Sequence, residues 1–594
     1  MQRASALLQS GNFAAARALL EQTVRAAPTF VEAQRLLAGA MLGLGERAGA
    51  ERVLRQAAAI DPEWAPVQCA LGELLIDSGR ADEGEHALRR AATCANRYLR
   101  ADRLLARLLN ASDRYGEVVD LTEASAQDTH ADPDLLHQRA VALVALQRHE
   151  EAIATCRRIV ELAPDNAKAE FFLASALDLA GRHSEAGQSA SRAIAKGEAT
   201  PEARHLLAHA LVDENRLEEA EALLHDIVRE RPRFADAHNN LAQLIWVRRG
   251  DVAAAAEYLD RALAQYPRDN ALISVKMNLL DGAGDAQGAL AFFETCLDAG
   301  NSDPGLLMAA SRAALKADAP RALAYARRAQ QLAPGPSSER VMINALLGAG
   351  DAVEALQRTE SLLRTAPDDQ HLIAMQTTAW RLLGDPRYAG YCDYAGMARG
   401  WTIDTPTGWN DLRAYLADLA VSLKRLHTSR AHPLNQSLRH GSQTAQNLLD
   451  IDDPAIRAFF SAIDGPIHRH IETIGHGGDP LRRRNTGAYK IAGIWSVRLN
   501  ARGYHTNHVH PQGWLSSACY IELPRAVAGD NPGREGFLKF GEPGYPTQPR
   551  LEPEYFIRPE PGLLALFPSY FWHGTVPFGG DDTRLTIAFD LVPV

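Results

Sequence analysis

The sequence predicts a multidomain α + β chain, a long α-helical solenoid followed by a β-domain. Three observations carry that prediction. Glycine and proline recur at a period of about 34 residues over the first two thirds. Past about residue 487 the texture changes to short β-branched or aromatic runs bounded by Gly or Pro. A chain of 594 residues also exceeds what one hydrophobic core can organise, so at least two structural units are expected.

The period is read directly. Prolines follow apolar helical runs at Pro28, Pro62, Pro164, Pro232, Pro267, Pro334 and Pro367, at separations close to multiples of about 34. Gly11, Gly45, Gly79, Gly181, Gly250, Gly284 and Gly350 keep nearly the same step, each between two alanine- and leucine-rich runs. Glycine accepts the left-handed conformation that ends a helix, and proline cannot continue a helix interior. The expected unit is therefore helix, tight turn, helix, break. In 134–167 the small residues Ala140 and Ala152 sit where two helices must approach closely, with Ile159 beneath. The pattern loosens near 95–132 and 305–330, where the glycine or the proline is missing.

A 34-residue helix–turn–helix unit resembles the tetratricopeptide repeat. The resemblance covers residues 1–400 and implies a right-handed superhelix with a concave groove that takes a protein or peptide partner. Single repeats cannot bury their apolar faces alone, so stacking supplies the core. His137, His205 and His238 on these helices read as ordinary surface or packing residues.

The period fails after about Asp385. Helical spacing returns in 409–427, with Leu412, Tyr415, Leu416, Leu419 and Leu423 on one face, and in 454–475, where Gly465 and Pro466 predict a break. Residues 401–480 are taken as a helical linker or support region. The runs 494–500, 514–524, 536–541, 562–568 and 584–593 are strand signals at a spacing that suits a sandwich or barrel, so 481–594 is taken as the β-domain.

Composition narrows the function classes. A net charge of −10 argues against nucleic acid as a general partner, because phosphate binding needs a clustered basic surface. Six scattered cysteines without a CxxC pair fit a reducing compartment. No window approaches the length of a membrane span and the N-terminus lacks a signal-peptide core, so a soluble, cytoplasmic protein is expected.

The chemistry sits in HTNHVHPQGW, residues 505–514. His508 and His510 are two positions apart, which on a strand directs both imidazoles to one face. A third histidine, His573, follows the run GLLALFP, and Arg584 lies 11 residues further on with Thr586 on its face. This order, HxH, a distal His and then R-x-T, resembles the double-stranded β-helix (jelly-roll) oxygenases that use Fe(II) and 2-oxoglutarate. More closely, SLRHGSQT, HVHPQGWLSSACYIELP, LFPSYFWHGTVPF and RLTIAFDLVP resemble the oxygenases fused to tetratricopeptide repeats in bacteria, over about 405–594.

That resemblance implies an Fe(II)- and 2-oxoglutarate-dependent dioxygenase, a hydroxylase acting on a protein or peptide held by the repeats. It makes His508 and His573 iron ligands, with His510 in the place usually held by an acid. It makes Arg584 and Thr586 the clamp for the far carboxylate of 2-oxoglutarate, since a guanidinium fork matches a carboxylate in two hydrogen bonds. Tyr520 is a candidate beside the oxoacid, and Arg498, Asn500, Arg439 and Gln443 are candidate pocket residues. Trp514 and Trp572 read as core or pocket wall, and His505 as a rim residue.

Three alternatives stay open. The departure at His510 suits a three-histidine iron dioxygenase that does not use 2-oxoglutarate. It also suits a two-histidine site with His510 outside the iron shell, as in the aspartyl/asparaginyl β-hydroxylases. Finally, it suits a non-catalytic scaffold with a degenerate β-domain.

Overall fold

The computed structural model describes residues 1–94, 98–129, 131–298, 300, 302–434, 436–527 and 531–594. It divides into two compact units, Met1–Ala210 and Leu211–Val594.

The first unit is built from antiparallel helix pairs, such as Val31–Gly43 with Arg47–Ile60 and Ala65–Asp77 with Ala81–Thr93. The turns between paired helices explain the glycine period: Gly11, Gly45, Gly79 and Gly181 all take positive φ, from 75° to 79°. Where the glycine is missing, Asp113 and Gln147 adopt the same conformation at φ 57° and 62°. Residues 95–97 and 130 of the irregular interval lie outside the described residues. The rest of that interval holds the helices Leu99–Ala111 and Tyr115–Ala126, so the repeat survives the loss of its glycine. A second recurrent device follows the prolines. Gln34 donates to the Pro28 carbonyl (2.6 Å) and Gln68 to that of Pro62 (3.1 Å), each tying the repeat break to the helix after it.

The second unit opens with the same architecture, from Leu217–Glu230 to Gln370–Leu383. There His238 Nε2 takes the place of the glutamine, 3.0 Å from the Pro232 carbonyl, which gives that buried histidine a packing role. Two antiparallel sheets follow. The strands are β1 (Arg399–Thr402), β2 (Leu438–Gln443), β3 (Tyr489–His505), β4 (Leu515–Glu522), β5 (Leu538–Phe540), β6 (Tyr555–Ile557), β7 (Leu563–Pro568), β8 (His573–Thr575) and β9 (Arg584–Pro593). One sheet has the order β1-β7-β4-β9-β3-β2, the other β6-β5-β8. The segment read as helical support thus also contributes one edge strand of the larger sheet, β2, and the second half of the other, β1. They are short and polar, as edge strands tend to be, which is why they left no strand signal.

β9 shows how the sheet separates core from site. Leu585, Ile587, Phe589 and Leu591 are buried in one apolar cluster with Tyr415, Leu419 and Leu423 of the helix Leu412–Leu426 and Phe459, Ile463 and Ile467 of the helix Pro454–Ile474. Arg584, Thr586, Ala588 and Asp590 alternate with them and line a cavity of about 660 Å³.

The break expected near Gly465 and Pro466 does not occur; the helix runs unbroken from Pro454 to Ile474. Proline frees the carbonyl four residues before it, here Ala462, and that carbonyl accepts the Asp404 N–H at 2.9 Å. The tertiary partner replaces the lost helical bond.

Repeat helices and β-domain meet within this unit. The Arg430 and Ala431 amides both donate to the Val247 carbonyl, Trp246 Nε1 donates to the His432 carbonyl, and His432 Nε2 lies 3.0 Å from the Gly282 carbonyl. Trp572 Nε1 donates to Thr378 Oγ1 (2.9 Å), and Arg381 donates to the carbonyls of Gly541 and Glu552.

Candidate metal centre and its cavity

His508 and His510 were expected on a strand. They lie instead in the segment after β3, where His508 makes an isolated bridge to His573. Their backbones exchange two hydrogen bonds, His508 N to His573 O at 2.9 Å and His573 N to His508 O at 3.1 Å. Pro511 biases His510 toward extended backbone, so the two side chains still converge. His510 N donates to the Ser569 carbonyl, which fixes the end of the segment.

The ligand-type atoms of His508, His510 and His573 all lie within 4.8 Å of one another, and the Nε2 atoms of His508 and His510 are 3.2 Å apart. Each ring has its other nitrogen engaged. His508 Nδ1 faces the Thr506 carbonyl (2.8 Å), His573 Nδ1 the Phe571 carbonyl (2.9 Å) and His510 Nδ1 the Asp590 carboxylate (2.7 Å). Acceptors at all three Nδ1 positions hold the protons there and leave three Nε2 lone pairs converging. Burial, then the neighbouring His510, pushes the His508 imidazole down to about 3, and burial holds His573 well below its ordinary value. Neutral rings are the form that binds a metal. The donor set fits a borderline divalent ion such as Fe(II).

Asp590 is the residue that reading the sequence missed. Its second oxygen accepts from Ser516 Oγ (2.7 Å), which contacts Ser569 Oγ (2.9 Å). The signal was present: in RLTIAFD the alternation that pairs Arg584 with Thr586 also reaches Asp590. Ser437 was missed as well, and no local pattern announces it. Its Oγ is 2.9 Å from His505 Nδ1 and 3.2 Å from His508 Nε2. His505 lines the cavity but does not join the three-histidine group.

Arg584 is 2% exposed, its Nη1 donates to the Gly536 carbonyl (3.0 Å), and its guanidinium lies 5.0 Å from the Tyr520 ring centre. Arg584 Nε and Tyr520 Oη are both buried, and neither has a hydrogen-bond partner among the described residues. Arg584 lines the cavity and Tyr520 stands behind it; unsatisfied buried donors are costly unless a ligand accepts from them. Burial lowers the Arg584 pKa from its ordinary value, which is high enough that the side chain stays a cation. Thr586 Oγ1 is 3.4 Å from the Val497 carbonyl. Gln443 lines the cavity; Arg498, Asn500 and Arg439 do not. Trp514 is a core residue whose Nε1 donates to the Leu481 carbonyl.

Comparison with known families follows this division of the chain. Models described as tetratricopeptide repeat match residues 7–74 and 205–270, and one described as anaphase-promoting complex, cyclosome, subunit 3 matches 147–227. The model described as "Putative 2OG-Fe(II) oxygenase" matches 493–590, a span that contains the three histidines, Arg584 and Asp590. Matches to tetratricopeptide-repeat models and to the "Putative 2OG-Fe(II) oxygenase" model thus fall in one chain.

No curated protein matches the chain. Among solved structures, yeast Tom70 is 11% identical over 65% of this chain and 88% of its own, with a TM-score of 0.35. Pseudomonas aeruginosa pilF is 17% identical over 34% and 92%, at 0.30. YrrB, described as a TPR protein with an unusual peptide-binding site, is 13% identical over 31% and 96%, at 0.28. Among the described residues no helix is long and apolar enough to cross a membrane.

Proposed function

We propose that the chain is an Fe(II)- and 2-oxoglutarate-dependent dioxygenase that hydroxylates a protein or peptide substrate presented by its repeats. The observation that carries this reading is the pairing, around one cavity, of three converging imidazole lone pairs with Arg584, whose Nε has no hydrogen-bond partner among the described residues and whose guanidinium lies beside Tyr520. In this reading 1–400 is the repeat region, 401–480 the support and 481–594 a jelly-roll catalytic domain. The sheet orders β7-β4-β9-β3 and β6-β5-β8, with the His508 bridge extending the second, support the double-stranded β-helix reading. Six unpaired cysteines suit a cytoplasmic setting.

His508, His510 and His573 would hold the iron through Nε2. When bound, iron and 2-oxoglutarate supply the oxidative step: dioxygen gives one atom to succinate, with release of carbon dioxide, and one to a substrate C–H bond. The rest is done by the chain. Asp590 keeps His510 in the donor tautomer. Arg584 and the Tyr520 hydroxyl donate to the far carboxylate of the oxoacid, and Thr586 stands on the same face. The cavity is within the usual range for a small-molecule site and shelters the reaction from bulk water.

Anaerobic titration of the purified protein with Fe(II) and then 2-oxoglutarate tests the reading. The expected result is a visible charge-transfer band on oxoacid addition and succinate formation on exposure to air. Protein that binds iron but neither binds nor converts 2-oxoglutarate overturns it.

A further inference from the structure

The repeats of the first unit carry a second group of metal-type donors. Asp178 stands near the end of the helix Ala167–Leu179, His183 opens the helix His183–Ala195 across the turn at Gly181, and His209 lies on Pro201–Asp213 of the following repeat. One carboxylate oxygen, Asp178 Oδ1, is 3.0 Å from His183 Nδ1 and 2.9 Å from His209 Nδ1. The two imidazoles have centroids 4.6 Å apart. Among the described residues only two groups bring three such donors within 4.8 Å of one another, and the other is the cluster at His508, His510 and His573. Outside these two clusters, the histidine–carboxylate contacts of His225 with Glu221 and His468 with Asp464 are single pairs at 3.6 Å.

We propose that Asp178, His183 and His209 form a binding site for a divalent metal ion of the zinc class. Donors about 3 Å apart are what an ion with bonds of about 2.1 Å holds at adjacent coordination positions. Without the ion, both rings donate Nδ1–H to Asp178. Moving each proton to Nε2 turns both Nδ1 lone pairs toward the same point, with no change in net charge. Two imidazoles and one carboxylate suit zinc and its borderline neighbours. The side chains are 20–39% exposed, so an ion reaches them without opening the core. Burial raises the Asp178 pKa, but the hydrogen bonds from His183 and His209 outweigh it and hold the carboxyl well below its usual range, in the form a metal needs. His205, one turn before His209 with ring centroids 6.4 Å apart, is a further imidazole beside the cluster. The remaining positions are open to water or to a donor side chain of a bound peptide.

The test uses the full-length chain with His508→Ala and His573→Ala, which silences the other histidine group. After equilibrium dialysis against zinc and removal of free metal, this background should retain one equivalent, and zinc should raise its melting temperature. Adding His209→Ala or Asp178→Asn should abolish both effects. In the otherwise unaltered chain the same two substitutions should each remove one equivalent. Background protein that retains no zinc, or unchanged zinc content in either variant that still melts cooperatively, overturns the site.

Discussion

On the proposed reading His510 takes the place of the usual acid ligand, yet a carboxylate is still present one step further out. Asp590 accepts the His510 Nδ1–H, and Ser516 holds Asp590 in turn. The pair supplies the same negative charge through an imidazole, so the site need not be one charge more positive than a two-histidine, one-carboxylate centre. Removing a partner of this kind typically costs 10–100-fold in metal affinity. Asp590→Asn should therefore weaken Fe(II) or Co(II) binding by about that factor, read by competition with a chelating dye, while the circular-dichroism spectrum stays unchanged. On the proposed reading Arg584 serves the oxoacid half of the site. Hydrogen bonds to charged groups are worth about 1.5–3 kcal/mol, so Arg584→Ala should lower 2-oxoglutarate affinity roughly 10–100-fold and leave metal binding intact. Activity untouched by Arg584→Ala would favour a three-histidine dioxygenase that does not use the oxoacid.

At the scale of elements, the helix Leu412–Leu426 is pinned to the larger sheet by the residue that caps it. His427 Nδ1 lies 2.9 Å from Ser442 Oγ on β2, and its Nε2 lies 3.0 Å from Ser496 Oγ on β3. Burial, with a smaller contribution from Arg498, pushes His427 down to about 4. Between that value and the ordinary one near 6.5 the unfolded chain binds the proton and the folded one does not. Stability from this group is thus complete above about pH 6.5 and is lost as pH falls toward 4, on the order of 3 kcal/mol in all. Urea midpoints measured from pH 4 to 7.5 should fall with acid, and His427→Gln, which does not titrate, should flatten that slope. The helix Pro454–Ile474 teaches a related lesson. Its proline reads locally as a break, and only the Asp404 amide, some sixty residues earlier, removes the penalty.

For the Leu211–Val594 unit as a whole, the repeats are more than an appended scaffold. Arg430, Ala431 and His432 contact the helices Ala235–Arg249 and Asn270–Gly282, and Ser437 lies at the site against His505 and His508. Gly282 makes that approach possible, because a Cβ there would stand 2.7 Å from the Leu434 carbonyl oxygen. Gly282→Ala should destabilise the protein by about 1–3 kcal/mol through overpacking, against its gain in helix propensity. Gly39→Ala, in a repeat helix of the other unit where a Cβ meets nothing within 4 Å, should stabilise by up to about 1 kcal/mol. Denaturant midpoints of opposite sign check the pair.

The sequence by itself determined what depends on period and residue type. The 34-residue step marked the repeats because each turn needs a left-handed residue, and the alternation in β9 put Arg584 and Thr586 on one face. The spacing of HxH, the distal histidine and R-x-T was enough to single out the three histidines that the fold brings together. Tertiary structure decided what depends on partners distant in sequence. These are the pairing of Asp590 with His510, the placement of Ser437, the rescue of Pro466 and the joining of β1 and β2 to the sheet. Each rests on a hydrogen bond or strand pairing whose two halves lie tens of residues apart, and no local pattern records such a meeting.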